Sequence, residues 1–158
     1  MVLSSRLQTL RKDRAIHLLD IENLTGSGRP TTADVREVMR AYTRLVAIGR
    51  LDQFVVAVNP RSLLAVGLAL PGVQLLTRAG PDGADQALVE AAYTARIDLR
   101  FERIVIGSGD GYFAELAIWL TAAGRRVTVV SRTGSLSRRL AVAVADRVTL
   151  DPGLDLAA

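Results

Sequence analysis

The sequence predicts an α/β fold, a three-layer α/β/α sandwich around a mostly parallel central sheet. Three observations carry this expectation. A strand-then-helix pattern recurs about five times with short links. The strands read as continuous apolar runs, the mark of strands buried on both faces. The stretches between them place apolar residues at three- and four-residue spacing, as one face of a helix does. No internal repeat, coiled coil or low-complexity segment interrupts the pattern.

Residues 1–13 are polar and basic with scattered leucines, and read as a frayed arm or short helix. Ala15 to Leu19 is an apolar run and reads as the first strand. It ends in Asp20-Ile21-Glu22-Asn23, where no helix is evident for Asp20 to cap, and a loop over residues 25–30 follows. Thr31 or Thr32 can cap a helix whose stripe is Val35, Val38, Met39, Tyr42, Leu45 and Val46, with Gly49 as its stop. Phe54 to Val58 is the second strand, Ser62 to Leu70 a short apolar helix, and Val73 to Thr77 the third strand. After a turn-rich loop, Ala84, Ala87, Leu88, Ala91 and Ala95 mark another helix face. Arg103 to Ile106 is the fourth strand and runs into Gly107-Ser108-Gly109-Asp110, beyond which Phe113, Leu116, Ala117 and Leu120 open a helix. Arg126 to Ser131 is the fifth strand, Leu136 to Val144 a helix, and Arg147 to Leu150 an edge strand. The domain therefore spans 14–150, between an arm at 1–13 and a tail at 151–158.

Composition bounds the chemistry. The chain has 158 residues, 49% of them hydrophobic, enough for one well-filled core. Without cysteine there are no disulfides, thiolate metal sites or cysteine nucleophiles. With one histidine, His17, a metal site must be built mainly from oxygen, which favours Mg or Mn over Zn. His17 lies inside the first strand and reads as core. No apolar run reaches the roughly 18 residues that span a bilayer, and the start lacks an apolar core of signal-peptide length. The expectation is a cytoplasmic protein with no membrane partner. All but Lys12 of the 20 basic residues are arginine, and the net charge is +4. Arginine grips phosphate bidentately, although arginine in place of lysine is also a habit of GC-rich genomes.

In open parallel sheets ligands bind beyond the carboxyl ends of the strands, near the switch in strand order. If that order is 3-2-1-4-5, strands one and four flank the switch. Asp20 follows strand one, Asp82 and Asp85 follow strand three, and Asp110 follows strand four. Carboxylates brought together either hold protons or hold a cation. A hard divalent ion bound by two or three carboxylates can activate water and stabilise charge on a phosphodiester. Singly, Asp110 and Asp82 also fit as helix caps, and Glu22 and Asp82 fit equally as ligands or as solvated loop residues.

The stretches LLDIENL (18–24), GPDGADQALVEAA (80–92) and IGSGDGYFAELAIWLTAAGRRVTVVS (106–131) resemble the NYN domain. That family is a branch of the PIN-like nucleases and includes LabA-like proteins. The similarity runs from about Ala15 to Leu150, with the three motifs in the family's order. The resemblance implies a PIN-like fold and a metal-dependent endoribonuclease using Mg or Mn. It assigns Asp20, Asp85 and Asp110 as metal-coordinating catalytic acids. It makes Asn23 the amide that orients the first acid or touches substrate, and Ser108 the hydroxyl that binds phosphate or positions Asp110. In one place the chain departs from the family. A second acid is expected two residues after Asp110, and Tyr112 stands there. Tyr112 can stack on an unpaired base of single-stranded RNA, the expected partner, or simply pack. Glu115, a turn further on, can reach inward or face solvent. Arg29, Arg61, Arg78 and Arg132 lie near strand ends and could grip RNA.

The competing expectation is a non-catalytic RNA-binding or protein-interaction module of the same fold with an incomplete acid set. A Rossmann-type nucleotide site has little support, because the glycines of IGSGDG follow strand four and have the wrong spacing. The apolar content is compatible with a homodimer.

Overall fold

The structure, a computed structural model, describes residues 2–151. Six strands form one parallel sheet in the order β3-β2-β1-β4-β5-β6. They are β1 (Ala15–Asp20), β2 (Gln53–Val58), β3 (Gln74–Thr77), β4 (Arg103–Gly107), β5 (Arg126–Arg132) and β6 (Asp146–Leu150). The expected order is present, with the sixth strand added at the edge. β1 and β4 are neighbours, so the switch point lies between them.

The strands alternate their side chains between two apolar layers, as the two-residue period of a strand requires. Ile16, Leu18, Ile104, Ile106 and Val129 face one layer, packed by α5 (Gly83–Thr94), α6 (Ile97–Arg100), α7 (Ala114–Ala122) and α8 (Arg138–Ala143). Leu19, Val56, Val58, Val105 and Val130 face the other, packed by α2 (Ile21–Thr25), α3 (Thr32–Leu45) and α4 (Leu63–Ala69). The fold is thus a three-layer α/β/α sandwich. Burying a Val, Leu or Ile side chain contributes about 1.5–3 kcal/mol, and both layers are built mainly of these.

The residues of the N-terminal arm form α1 (Val2–Arg11), which lies beside α6. The tail lies, beyond Asp151, outside the described residues.

Three elements differ from expectation. Asp20 does have a helix to cap: α2 begins at the next residue, and Gly26 ends it in the left-handed region at φ 69°. Five residues with only Ile21 and Leu24 buried are too few to show a helical period. α6 was hidden for the same reason, being four residues long. α3 is capped by Thr31, with Asp34 completing a capping box, but it stops at Leu45 before Gly49. Val46 is already extended and buried there, and the Gly49 N–H is bonded instead to Asp52 at 2.9 Å.

That Asp52 anchors the amino end of the sheet. It accepts hydrogen bonds from the Ala15 N–H at 3.1 Å and from His17 Nε2 at 2.9 Å. Because a carboxylate only accepts, Nε2 carries the proton and Nδ1 accepts from the Tyr42 hydroxyl at 2.6 Å. His17 is fully buried and stacked on Phe54, with ring centroids 4.3 Å apart. Burial lowers its pKa, and it stays neutral. The lone histidine is therefore a core residue, as its place in β1 indicated.

Candidate metal centre

Each acid reaches the carboxyl edge of the sheet by a different route. β1 places Asp20 one residue beyond Leu19, which is in register with Gly107 at the end of β4. Its side chain caps α2, with Oδ1 accepting from the Asn23 N–H at 3.3 Å. Oδ2 accepts from the Ser108 hydroxyl at 3.3 Å. The residue is only 6% exposed.

Asp110 arrives through the turn after β4. Gly109 must be glycine, because a Cβ there would run into the carbonyl of Ser135. The Gly109 N–H donates to Asn23 Oδ1 at 3.0 Å, and the Asp110 N–H donates to Ser108 Oγ at 3.2 Å. Asp110 Oδ1 then accepts from the Tyr112 N–H at 2.8 Å and caps the 3₁₀ turn Gly111–Phe113. So the capping reading of Asp110 is correct for one oxygen, and the other remains free of that bond.

Asp85 stands in the first turn of α5 and is 5% exposed. Asp82 occupies the cap position of the same helix but makes no capping bond, and its φ of 57° is left-handed. The cap reading of Asp82 fails for that reason. The strained backbone turns its carboxylate toward the other acids instead. Oxygens of Asp82, Asp85 and Asp110 all lie within 4.8 Å of one another, and the Asp20 carboxyl, outside that trio, is placed to share a proton with Asp85.

The sequence assigns three of these four acids as ligands and leaves Asp82 open between ligand, cap and solvated loop residue. Its signal was available: it lies three residues before Asp85, just ahead of the same helix. Its candidacy was obscured because the position also fits a cap.

Among the described residues, none of the four carboxylates forms a salt bridge with an arginine or lysine. Burial, above all, pushes Asp85 up to about 8, helped by the shared hydrogen bond with Asp20 and by the charges of Asp20, Asp110 and Asp82. Asp20 is likewise raised by burial, which outweighs its hydrogen bonds from Asp85, Asn23 and Ser108. Crowded carboxylates without counter-charge are a donor set suited to a hard divalent cation. The donors are all oxygen, so the cluster could hold a metal ion of the Mg or Mn type. Asp20, Asp82 and Asp85 line a cleft of about 190 Å³ with Glu22, Asn23 and Asn59, and Asp110 meets Asp82 and Asp85 at its edge.

The surrounding residues divide by geometry. Ser108 is fully buried and binds Asp20 and the Asp110 backbone, so it positions acids and does not reach a phosphate in solvent. Asn23 ties the Asp20 segment to the Gly109 turn. Glu22 Oε1 accepts from the Asn59 N–H at 3.1 Å and the Ser62 hydroxyl at 3.4 Å, which ties it to the loop after β2. Glu115 is 81% exposed and pairs with Arg139 at 3.3 Å, so it does not replace the missing acid. Tyr112 is 40% exposed beside Asp110. Of the four arginines near strand ends, Arg78 lines the cleft and pairs with Glu90 at 2.6 Å. Arg61 donates to the Gly28 carbonyl at 2.9 Å, and Arg132 packs against Gly26. Arg29 is exposed.

No helix among the described residues is long and apolar enough to cross a membrane. No protein-family model matches the chain, and no curated protein is significantly similar to it. Among solved structures, the chain resembles a protein of unknown function from Vibrio parahaemolyticus. The TM-score is 0.60 over 89% of this chain and 94% of that one, at 17% identity. This likeness extends to the fold.

Proposed function

We propose that the protein is a metal-dependent endoribonuclease whose centre is the Asp20, Asp82, Asp85 and Asp110 cluster. One observation carries the reading: Asp82, Asp85 and Asp110 converge beside Asp20 at the switch point of a parallel sheet, and among the described residues none of the four is in a salt bridge. The resemblance to the NYN domain points the same way and supplies the substrate class. Mg or Mn held there would act as a Lewis acid on a phosphodiester and make a water molecule acidic enough to attack it.

The chain's own residues prepare that chemistry. Asp85 gives up its proton when it becomes a ligand, so binding and deprotonation are coupled. Ser108 and the Asn23 N–H hold Asp20 with one face toward Asp85. The Asn23 bond to Gly109 fixes the distance between the two motifs that carry Asp20 and Asp110. Arg78 at the cleft wall can exchange Glu90 for a substrate phosphate, because exposed ion pairs of this kind contribute only about 0–1 kcal/mol.

The test is cleavage of single-stranded RNA with Mn, comparing the native chain with Asp20→Asn and Asp110→Asn. Both substitutions are expected to lower the rate by orders of magnitude. Activity that survives both would refute the mechanism. The second reading, a non-catalytic RNA-binding module, draws on Tyr112 in the place of a further acid. RNA binding without cleavage under any divalent ion would favour it.

A further inference from the structure

The chain has few aromatic residues, and their distribution is uneven. Tyr42, Phe101 and Phe113 are fully buried, and Phe54 is stacked on His17 inside the fold. The remaining three, Tyr93, Tyr112 and Trp119, all gather on one side of the acid cluster. Tyr93 and Tyr112 are 39% and 40% exposed. Both line a cleft of about 280 Å³ with Val89, Leu116, Glu115 and Arg139. Trp119 backs Tyr93, with ring centroids 4.7 Å apart. Tyr112 is joined to Asp110 through its own N–H, so the cleft begins where the acid cluster ends.

An aromatic floor of this kind can take a flat, apolar-faced ligand. The charge around it narrows the choice. Arg139 is 64% exposed and its partner Glu115 81%, so their ion pair is weak and the guanidinium is available to a phosphate. Arg138 is exposed beside it. Rings for a base and an arginine for the adjoining phosphate are the two components of single-strand nucleic-acid sites.

We propose that this cleft is a nucleobase subsite: an unpaired base of single-stranded RNA stacks on Tyr112 and Tyr93 while Arg139 meets its phosphate. The proposal rests on the reading of the acid cluster as a ribonuclease centre, and it adds where the strand leaves that centre. Stacking on rings is tolerant of sequence, because every base has a π-face. The subsite therefore selects for unpaired RNA and not for a particular base. A duplex, whose bases are already stacked, cannot use it.

Trp119, the single tryptophan, is a reporter at the cleft. Short oligoadenylate is titrated into the protein in EDTA, so that no strand is cut, while Trp119 fluorescence is followed. Saturable quenching is expected. Tyr112→Ala and Tyr93→Ala should each weaken binding by about ten-fold or more, and Tyr112→Phe and Tyr93→Phe should restore it. Unchanged affinity in both alanine variants would overturn the subsite. If an alanine variant does not fold, the native protein decides the matter with an abasic oligomer of the same length. Equal affinity for the abasic strand overturns the proposal, and a loss of about ten-fold supports it. Mn-dependent cleavage with no dependence on the tyrosine rings would remove the subsite and leave the nuclease reading intact. Ring-dependent quenching without cleavage would support the cleft and remove the nuclease reading.

Discussion

Asp82 and Asp52 show how one residue type takes opposite roles according to what surrounds it. Asp82 has no cationic partner and no capping bond, and it lies against two other acids. A left-handed aspartate at the mouth of α5, set against two other acids, is placed where it could hold a cation. Asp82→Asn is accordingly expected to weaken Mn binding by about ten-fold or more, within the range seen even for outer partners of metal ligands. Isothermal titration with Mn measures this directly, and an unchanged affinity would exclude Asp82 from the site. Asp52 is the reverse case. Burial opposes its charge, but bonds from His17, Gly49 and Ala15 outweigh that and hold its pKa below 3.8. His17 is also held below its ordinary 6.5. For both groups the folded pKa is depressed, so their contribution is present above the unfolded values and lost on acidification. The unfolded chain binds a proton at His17 as pH falls through 6.5, and the folded chain does so only at lower pH. Stability measured by urea unfolding should therefore decline below that pH, and His17→Gln should remove that part of the decline. Asp52→Ala leaves three donors without an acceptor and should cost on the order of 3 kcal/mol.

At the scale of elements, the readable parts were those long enough to carry a period. β1, β2, β4 and β5 are mostly buried apolar runs, and α3 shows a stripe of Val35, Val38, Ala41 and Tyr42 over about two turns. α2 and α6 were not readable, because a helix of four or five residues owes its existence to neighbours and a capping bond. The same limit affected the site. Asp20, Asp85 and Asp110 could be found from strand ends, which local sequence reveals. The bonds from Ser108 to Asp20 and from Gly109 to Asn23 span 88 and 86 residues, and no local pattern encodes them. The turn 107–110 is where these long-range bonds meet, and Gly109 is its tightest point. Gly109→Ala would force its methyl into the Ser135 carbonyl. The turn must then shift, at about 1–3 kcal/mol, the usual range for overpacking. Cleavage and Mn affinity should fall much further than stability does, since Asp110 moves with the turn. Thermal unfolding beside a Mn titration separates the two effects. A variant with lowered stability but native Mn affinity would show that the turn does not position Asp110.

At the scale of the molecule, acids are unevenly paired. Asp20, Asp82, Asp85 and Asp110 crowd the carboxyl edge, whereas the cleft at the amino edge mixes Arg14, Arg103 and Arg126 with Asp13 and Glu102. Crowding unpaired carboxylates costs stability, and pH exposes the cost. Asp85 keeps its proton in the folded, metal-free protein up to about 8, against 3.8 for an ordinary aspartate. Between those values the folded state binds more protons than the unfolded state. Its stability therefore falls as pH rises through the window. Asp85→Asn removes the carboxyl whose ionisation is resisted, so the metal-free variant should melt higher than the native protein at pH 8. Mn reverses the order. A ligand at a hundred times its Kd adds about 2.7 kcal/mol to a folded protein, and only the native acid set can draw on it. The native chain should thus gain several degrees on adding Mn, and Asp85→Asn little. If Mn raises the melting temperature of both proteins equally, the ion binds elsewhere. If Asp85→Asn melts lower without metal, the acids are held together by something other than a waiting cation, and the central reading of the cluster fails.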